Sequence, residues 1–426
     1  MSAILFSSLI VLFMLNIPIA IAIGLSCLSA IFFTGVVPPI VIVQKMITAA
    51  DSFPLMAVPF FLLAGSLMEF GGISRRLVDF ANSIVGRFSG GLAFVVIIAS
   101  MFFGAISGAA VATVAAIGGI LIPSMIRRGY SSTFSTAVAS TSGTLGVMIP
   151  PSIPMIIYGV MTGVSIGALF MAGILPGILV GASLMFISWR IAKKHGYKGD
   201  AKPSLSHIWE TFKEAIFALL MPVIILGGIY GGIFTPTEAA VVAVVYGFII
   251  GFFVYRELKV KNLREVLVNA VIGTSMIMFI IATSSVFSWL LTSEQIPQAV
   301  ANGILSISKN PIVIITLINL LLLFIGTFME TIAAIIILVP VLMPIITMIG
   351  VDPLHFGIII VVNLAIGMVT PPLGVCLFIG CSIGKISIEQ ITRAVWPFIL
   401  VLIADILLIT YLPWISLFLP KITGLY

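Results

Sequence analysis

From Gly90 to Met125 the chain runs 36 residues without a charged side chain. As one helix this stretch would be roughly 50 Å long, well beyond a hydrocarbon layer of about 30 Å. It has to tilt steeply or fold back on itself. The same scarcity of charge holds along the whole chain, since 61% of its 426 residues are hydrophobic and only 8% are charged. A soluble core cannot hide that much apolar surface, and apolar runs of about 20 residues are long enough to cross a bilayer as helices. The sequence therefore reads as an all-α polytopic membrane protein with about ten or more crossings and no separate soluble domain. The opening segment, Met1 to Phe33, has no basic n-region and continues past Pro18 into further apolar sequence. It is expected to be retained as membrane helices and not cleaved as a signal. Cys27, Cys376 and Cys381 lie in apolar segments without metal or redox spacing, so they are expected to be small buried side chains.

Charge reports topology. Arg190 to Lys213 carries six Lys/Arg, and a second basic turn, "YRELKVKNLRE", begins at Tyr255. Both are expected on the cytoplasmic face, with the segment between them crossing out and back. The outer turn, "FTPTEAA", offers Thr235 as N-cap, Pro236 at the first helical position and Glu238 to close a capping box. Capping is preferred to ligand binding for Glu238. The net charge of +6 comes from these loops, and no nucleic-acid partner is expected.

The basic loop at 190–213 divides two halves that resemble each other. An offset of 221 matches Pro123 with Pro344, Gly129 with Gly350, Gly146 with Gly367, Pro150 with Pro371, Pro151 with Pro372, Gly159 with Gly380 and Gly163 with Gly384. This reads as an internal repeat. Arg127 and Arg128 follow the first copy's proline, whereas the equivalent place in the second copy has no Lys/Arg. The matching loops are thus expected on opposite sides of the membrane, which makes the repeats inverted.

Each half then holds a long apolar run with a weak middle, followed by a broken segment. Gly104, Ser107 and Gly108 suit the tip of a re-entrant hairpin, and "GTFME", Gly326 to Glu330, is the counterpart in Pro311–Ile345. The breaks are "GTLGVMIPPS", Gly143 to Ser152, and "NLAIGMVTPPLG", Asn363 to Gly374. In both, Gly precedes the Pro pair by four, and proline lacks the N–H that continues a helix. Freed carbonyls at helix C-terminal ends suit Na⁺, and freed N-termini suit a carboxylate.

The motifs "FFGAISGAAVATVAAIG", "GVMIPPSIPMIIYG", "FMAGILPG", "GIFTPTEAA" and "GMVTPPLG" resemble the large membrane subunit of tripartite ATP-independent periplasmic (TRAP) transporters over nearly the whole chain. Na⁺-coupled dicarboxylate carriers of the divalent-anion class share the hairpin design more distantly. The TRAP resemblance implies an elevator-type scaffold plus transport domain and multi-pass residence in a bacterial inner membrane. It also implies a small four-helix membrane subunit, expected here as a separate chain, and a periplasmic substrate-binding protein. The expected organisation is N-terminal scaffold helices over 1–86 and a first transport-domain repeat over 87–189, with its hairpin near 90–125 and its broken helix near 131–160. The basic loop at 190–213 is followed by second-half scaffold helices over 214–305. A second repeat covers 306–384, with its hairpin near 311–345 and its broken helix near 353–380, and a C-terminal helix covers 385–426.

By the same resemblance, a first sodium site falls on Ser107, Gly108, Ala109, Gly146, Ile149 and Pro151, and a second on Gly326, Thr327, Gly367, Thr370 and Pro371. Main-chain carbonyls would be the chief ligands, with Ser and Thr hydroxyls as auxiliaries. Ala109 stands where many relatives have a second tip serine, so it can offer only its carbonyl. Na⁺ is the coupling ion implied, with no other metal or cofactor. Substrate is expected between the two sites, near Thr113, Ser142, Ser152, Tyr158, Thr327 and Asn363, although each of these also suits helix packing. Of the acids, Glu330 and Glu69 sit in apolar surroundings, and Asp405 could pair with the partner subunit. His195, His207 and His355 read as loop residues in polar turns.

The function expected is inward movement of an organic acid with Na⁺, with general resemblance favouring sialic acid over C4-dicarboxylates. A binding-protein-independent Na⁺/dicarboxylate carrier is the alternative, followed by a channel. An intramembrane enzyme would need a buried Ser/His pair, an Asp pair or a His-rich metal motif, and the sequence has none. The chain is therefore not expected to be an enzyme.

Overall fold

The computed structural model describes residues 1–35, 37–199 and 204–426, and these form helices and turns without a strand. Five helices open the chain: α1 (Ser2–Met14), α2 (Ile19–Thr34), α3 (Ile40–Ala50), α4 (Ala57–Phe70) and α5 (Ile73–Val85). α6 (Gly91–Ser107) is followed by α7 (Ala110–Thr113), which continues through one π turn into α8 (Gly119–Arg127). α9 (Ser132–Ser142), α10 (Leu145–Met148) and α11 (Ile153–Thr162) lead into the long α12 (Ile166–Lys194). The second half runs through α13 (Leu205–Tyr230), α14 (Pro236–Ile249), α15 (Val260–Ser293) and α16 (Ile296–Ile307). It ends with α17 (Pro311–Gly326), α18 (Thr331–Met348), α19 (Pro353–Gly367), α20 (Val375–Gly384), α21 (Ile388–Tyr411) and α22 (Trp414–Ile422). Among the described residues, nine helical segments are long and apolar enough to cross a membrane. Large side chains such as Phe32, Phe33, Val223, Phe324 and Trp414 stand exposed on the outer surface, as lipid-facing positions do. The chain is a multi-pass membrane protein.

Two boundaries differ from the expected organisation. The basic loop at 190–213 is mostly helix: α12 continues to Lys194, and α13 starts at Leu205 behind Ser204, whose hydroxyl accepts from His207 N at 3.1 Å. Lys193 and Lys194 occupy the last turn of α12, where cations complement the helix dipole. Residues 200–203 of that loop lie outside the described residues. The C-terminal segment over 385–426 forms two helices, because Pro413 lacks the N–H needed to extend α21.

Packing ties the first helices to the middle of the chain. α4 lies along α14, and α15 packs on α2, α3 and α4. Ser2 donates to Glu294 at 2.8 Å and the Met1 amine stands 3.6 Å from the same carboxylate. These contacts fix the start of α1 to the end of α15, and the Ser2 hydrogen bond holds the Glu294 carboxyl below its usual range. At the other end of α15, Arg76 pairs with Glu257 at 2.6 Å and stacks on Tyr255. The expected capping box at Thr235 and Glu238 is present, with reciprocal bonds at 3.3 and 2.8 Å.

Tyr197, just past α12, holds both ends of the first hairpin. Its carbonyl accepts from Ser89 Oγ at 3.0 Å and Gly90 N at 3.3 Å, while its hydroxyl accepts from Ser131 N at 3.1 Å. The limbs α6 and α7–α8 therefore start and finish at the same end of the molecule. Ser132 next to this base donates to Gly384 O at 2.8 Å, beside the start of α21, whereas Thr316 in α17 bonds the hydroxyl of Tyr411 at the end of α21. A helix of 24 residues is about 36 Å long. The bases of the two hairpins thus lie at opposite ends of α21.

Candidate functional site

The first hairpin tip is built by glycine geometry. Gly108 takes φ +61°, a left-handed conformation that closes α6 and lets Ala109 turn into α7. The tip sits against the first break. Ile153 N donates to Gly108 O at 3.4 Å, and a Cβ on Gly104 would stand 2.7 Å from Gly146 Cα. A Cβ on Gly146 would be 2.8 Å from Ala109 O and would overlap Thr113 Oγ1. Ser107 Oγ lies 3.2 Å from Thr113 Oγ1, which donates to Ala109 O at 2.9 Å. Ser107, Gly108, Ala109 and Gly146 are therefore brought together, with Thr113 in the same cluster. Pro151 joins them through its carbonyl, 3.2 Å from where a Cβ on Gly108 would be. The Ile149 side chain turns away and packs on Gly177 of α12.

The proline pair explains two carbonyls. Pro150 leaves Gly146 O without its helical donor, and Pro151 does the same to Val147 O. Ser152 repairs the second by donating to Val147 O at 2.6 Å. The proton of its hydroxyl is thus committed to the backbone. Ser142 is likewise committed to Val138 O at 2.7 Å.

The second tip repeats the close approach with a shifted register. A Cβ on Gly326 would stand 3.0 Å from Gly367 Cα and 2.8 Å from Leu364 O. Gly104 and Gly326 play the same part although they are 222 positions apart, one more than the offset relating Gly146 to Gly367. Thr370 N donates to Gly367 O at 2.9 Å, Thr370 Oγ1 to Ile366 O at 2.8 Å and Thr327 Oγ1 to Phe324 O at 2.7 Å. Both threonine hydroxyls are turned back onto their own helices. Pro371 is half-buried and the following Pro372 and Leu373 are exposed, while the first break is almost wholly enclosed. The Pro150–Pro151 and Pro371–Pro372 bonds are both cis.

Other residues take places that the sequence did not announce. Asn363 donates to Asn319 Oδ1 at 3.0 Å, and Asn319 donates to Thr410 Oγ1 at 3.0 Å, a buried chain linking α19, α17 and α21. Asn319 was legible only as an amide inside an apolar run. Tyr158 donates to Pro353 O at 2.6 Å, at the far end of α19 from the break. His355 is no loop residue: it is 3% exposed, within 2.6 Å of Ser416 Oγ and 3.2 Å of Thr410 O, because α22 folds over the first turn of α19. His195 and His207 are exposed at helix ends. Glu330 caps α18, accepting from Ile332 N at 2.9 Å. Glu69 is exposed at the end of α4, and Asp405 is buried with Ser183, which donates to it at 2.8 Å. All three cysteines are free and buried. Thr136 and Ser140 of α9 face Gly384 and Gly380 of α20, where no side chain intervenes.

This arrangement of paired tips and breaks, on bases at opposite ends of one bundle, offers two oxygen-rich clusters and no catalytic constellation among the described residues. The family described as "Tripartite ATP-independent periplasmic transporter, DctM component" matches residues 6–415. The chain belongs to this family. It is 47% identical over 416 residues to the isethionate TRAP transporter permease protein DctMQ of Oleidesulfovibrio alaskensis, covering 97% of this chain and 66% of that protein. It is 40% identical over 436 residues to the C4-dicarboxylate TRAP transporter large permease protein DctM of Rhodobacter capsulatus, covering 99% of each. The fold is similar to that of the Alcanivorax borkumensis YdaH transporter, with a TM-score of 0.61 at 15% identity over 88% of this chain and 87% of that one. As a TRAP large permease the chain is a transporter component and not an enzyme.

Proposed function

We propose that this TRAP large permease imports a small organic acid by Na⁺ symport through an elevator movement, in a bacterial inner membrane. It acts with a small membrane subunit and a periplasmic binding protein that delivers the acid. The two halves act as inverted repeats, and the tip-against-break clusters at Gly104, Ser107 and Gly146, and at Gly326 and Gly367, hold one coupling ion each. The observation that carries this reading is the pair of close glycine contacts on hairpins whose bases lie at opposite ends of α21. Such a pairing sets backbone carbonyls around a point reached from either face, as alternating access needs. Gly146 O, stripped of its helical donor by Pro150, is the leading carbonyl ligand at the first cluster, and Ser107 Oγ the leading hydroxyl. Thr370 is the weaker auxiliary, because its hydroxyl already serves Ile366 O.

The names of the relatives point to small anionic acids, a sulfonate in one and C4-dicarboxylates in the other. Sialic acid belongs in the same screen. The test is uptake of isethionate, succinate and N-acetylneuraminate into proteoliposomes holding both membrane subunits, with the cognate binding protein outside. Uptake is expected only with an inward Na⁺ gradient and with all three proteins. Full uptake by this chain alone without a gradient would sink the coupled tripartite reading.

A further inference from the structure

A cavity of about 710 Å³ lies between α3 and α15 on one side and α11 and α18 on the other. It has the volume of a small-molecule site. Its lining comes from the last third of α15, the end of α11, the middle of α18 and the second half of α3. Ser284 is 24 residues from the basic start of α15, roughly 36 Å along the helix. The cavity therefore opens on the face opposite the basic turns, away from Lys259, Lys261 and Arg264.

Its chemistry is one-sided. Lys45, at the rim, is the one charged residue among those lining it. Among the described residues no carboxylate pairs with Lys45, and its Nζ stands 5.6 Å from the centre of the Trp289 ring. Ser284, Ser285, Ser288 and Thr292 of α15 contribute to the lining. Ser285 donates to Lys45 O at 3.1 Å, which anchors the backbone of α3 to α15. Ser284 is 1% exposed, and its hydroxyl has no partner among the described residues. A buried hydroxyl left without an acceptor is costly. An anionic oxygen in the cavity would supply that acceptor and the counter-charge that Lys45 lacks.

We propose that this cavity is a receiving site for a small carboxylate or sulfonate, in which Lys45 meets the charged head and the hydroxyls of Ser284 and Ser288 donate to it. The site would hold the acid on the face opposite the basic turns before it reaches the tips, and this inference rests on the transport reading. A lipid headgroup phosphate shares the chemistry, so the test has to separate the two.

Trp289 supplies the signal. In the complex of large and small subunits, in phosphatidylcholine nanodiscs, tryptophan fluorescence is titrated with isethionate, succinate and N-acetylneuraminate. We expect a saturable change with at least one of them, lost in Trp289→Phe. Its midpoint should rise about fivefold or more in Lys45→Gln and return to within about twofold in Lys45→Arg, as loss of one charge-assisted hydrogen bond requires. An unchanged midpoint in Lys45→Gln, or no change with any of the three acids, overturns the proposal. So does an effect of Lys45→Gln seen only in discs containing phosphatidylglycerol, which assigns the lysine to lipid. Wild-type uptake that fails with every acid removes the transport reading itself. Normal wild-type uptake with an unmoved Lys45→Gln midpoint removes only the cavity.

Discussion

Gly146→Ala tests the first cluster most directly. The added methyl would stand 2.8 Å from Ala109 O, and ordinary contact begins at 3.4 Å, so the tip has to retreat by at least about 0.6 Å while the overlapped Thr113 hydroxyl turns aside. That is several times the roughly 0.2 Å by which metal–ligand distances vary in a well-formed site. Overpacking of this kind costs about 1–3 kcal/mol of stability. If Na⁺ binding loses a similar amount, the Na⁺ concentration for half-maximal uptake rises about fivefold or more. Uptake in proteoliposomes over a Na⁺ series reads the second quantity, and thermal unfolding of the purified complex reads the first. Gly119→Ala is the control, since a Cβ there meets nothing within 4 Å and the backbone is already helical. It should leave uptake unchanged and stability equal or slightly higher. A Gly146→Ala protein with wild-type Na⁺ dependence would refute the placement of the ion at this contact.

Gly380→Ala would drive a methyl into Ser140 Oγ and is expected to destabilise by about 1–3 kcal/mol. Because Ser140 Cβ is 3.5 Å away, an ordinary contact, while Thr136 Cγ2 stays tight at 3.1 Å, Ser140→Ala should restore part of the loss, and unfolding of the double variant checks this. Asn319→Leu strips Asn363 and Thr410 of a buried partner and should cost about 1–3 kcal/mol. Combined with Asn363→Leu the total should fall short of the sum, and strict additivity would show that the two amides do not act together.

Several parts of this structure were legible because their signals are local. Thr235 and Glu238 form a capping box within four residues, and Pro150 and Pro371 remove donors wherever the chain goes. The tip at Ser107–Gly108 follows from a glycine that can take a positive φ. Ser152 could have been read the same way, since Pro151 orphans Val147 O a few residues back. What the sequence hid lies between distant residues. Tyr158 spends its hydroxyl on Pro353, Asn363 its amide N–H on Asn319, and His355 is buried by a helix that begins at Trp414. Periodicity carries no information about such partners. The shared offset is also slightly misleading: it aligns Gly146 with Gly367, but the first limb of the hairpin slips by one residue, so Gly326 answers Gly104 and not Ala105.

Tyr197 gives the first hairpin a mechanical character. By binding Ser89, Gly90 and Ser131 it clamps both limbs at one end, and α6 extends from that clamp for 17 residues, about 26 Å. The hairpin is thus a lever pivoting on a residue that belongs to the turn joining the two halves of the chain. At that length a tilt of little more than about 1° moves the tip by about 0.6 Å, the displacement that a single methyl at Gly146 would impose.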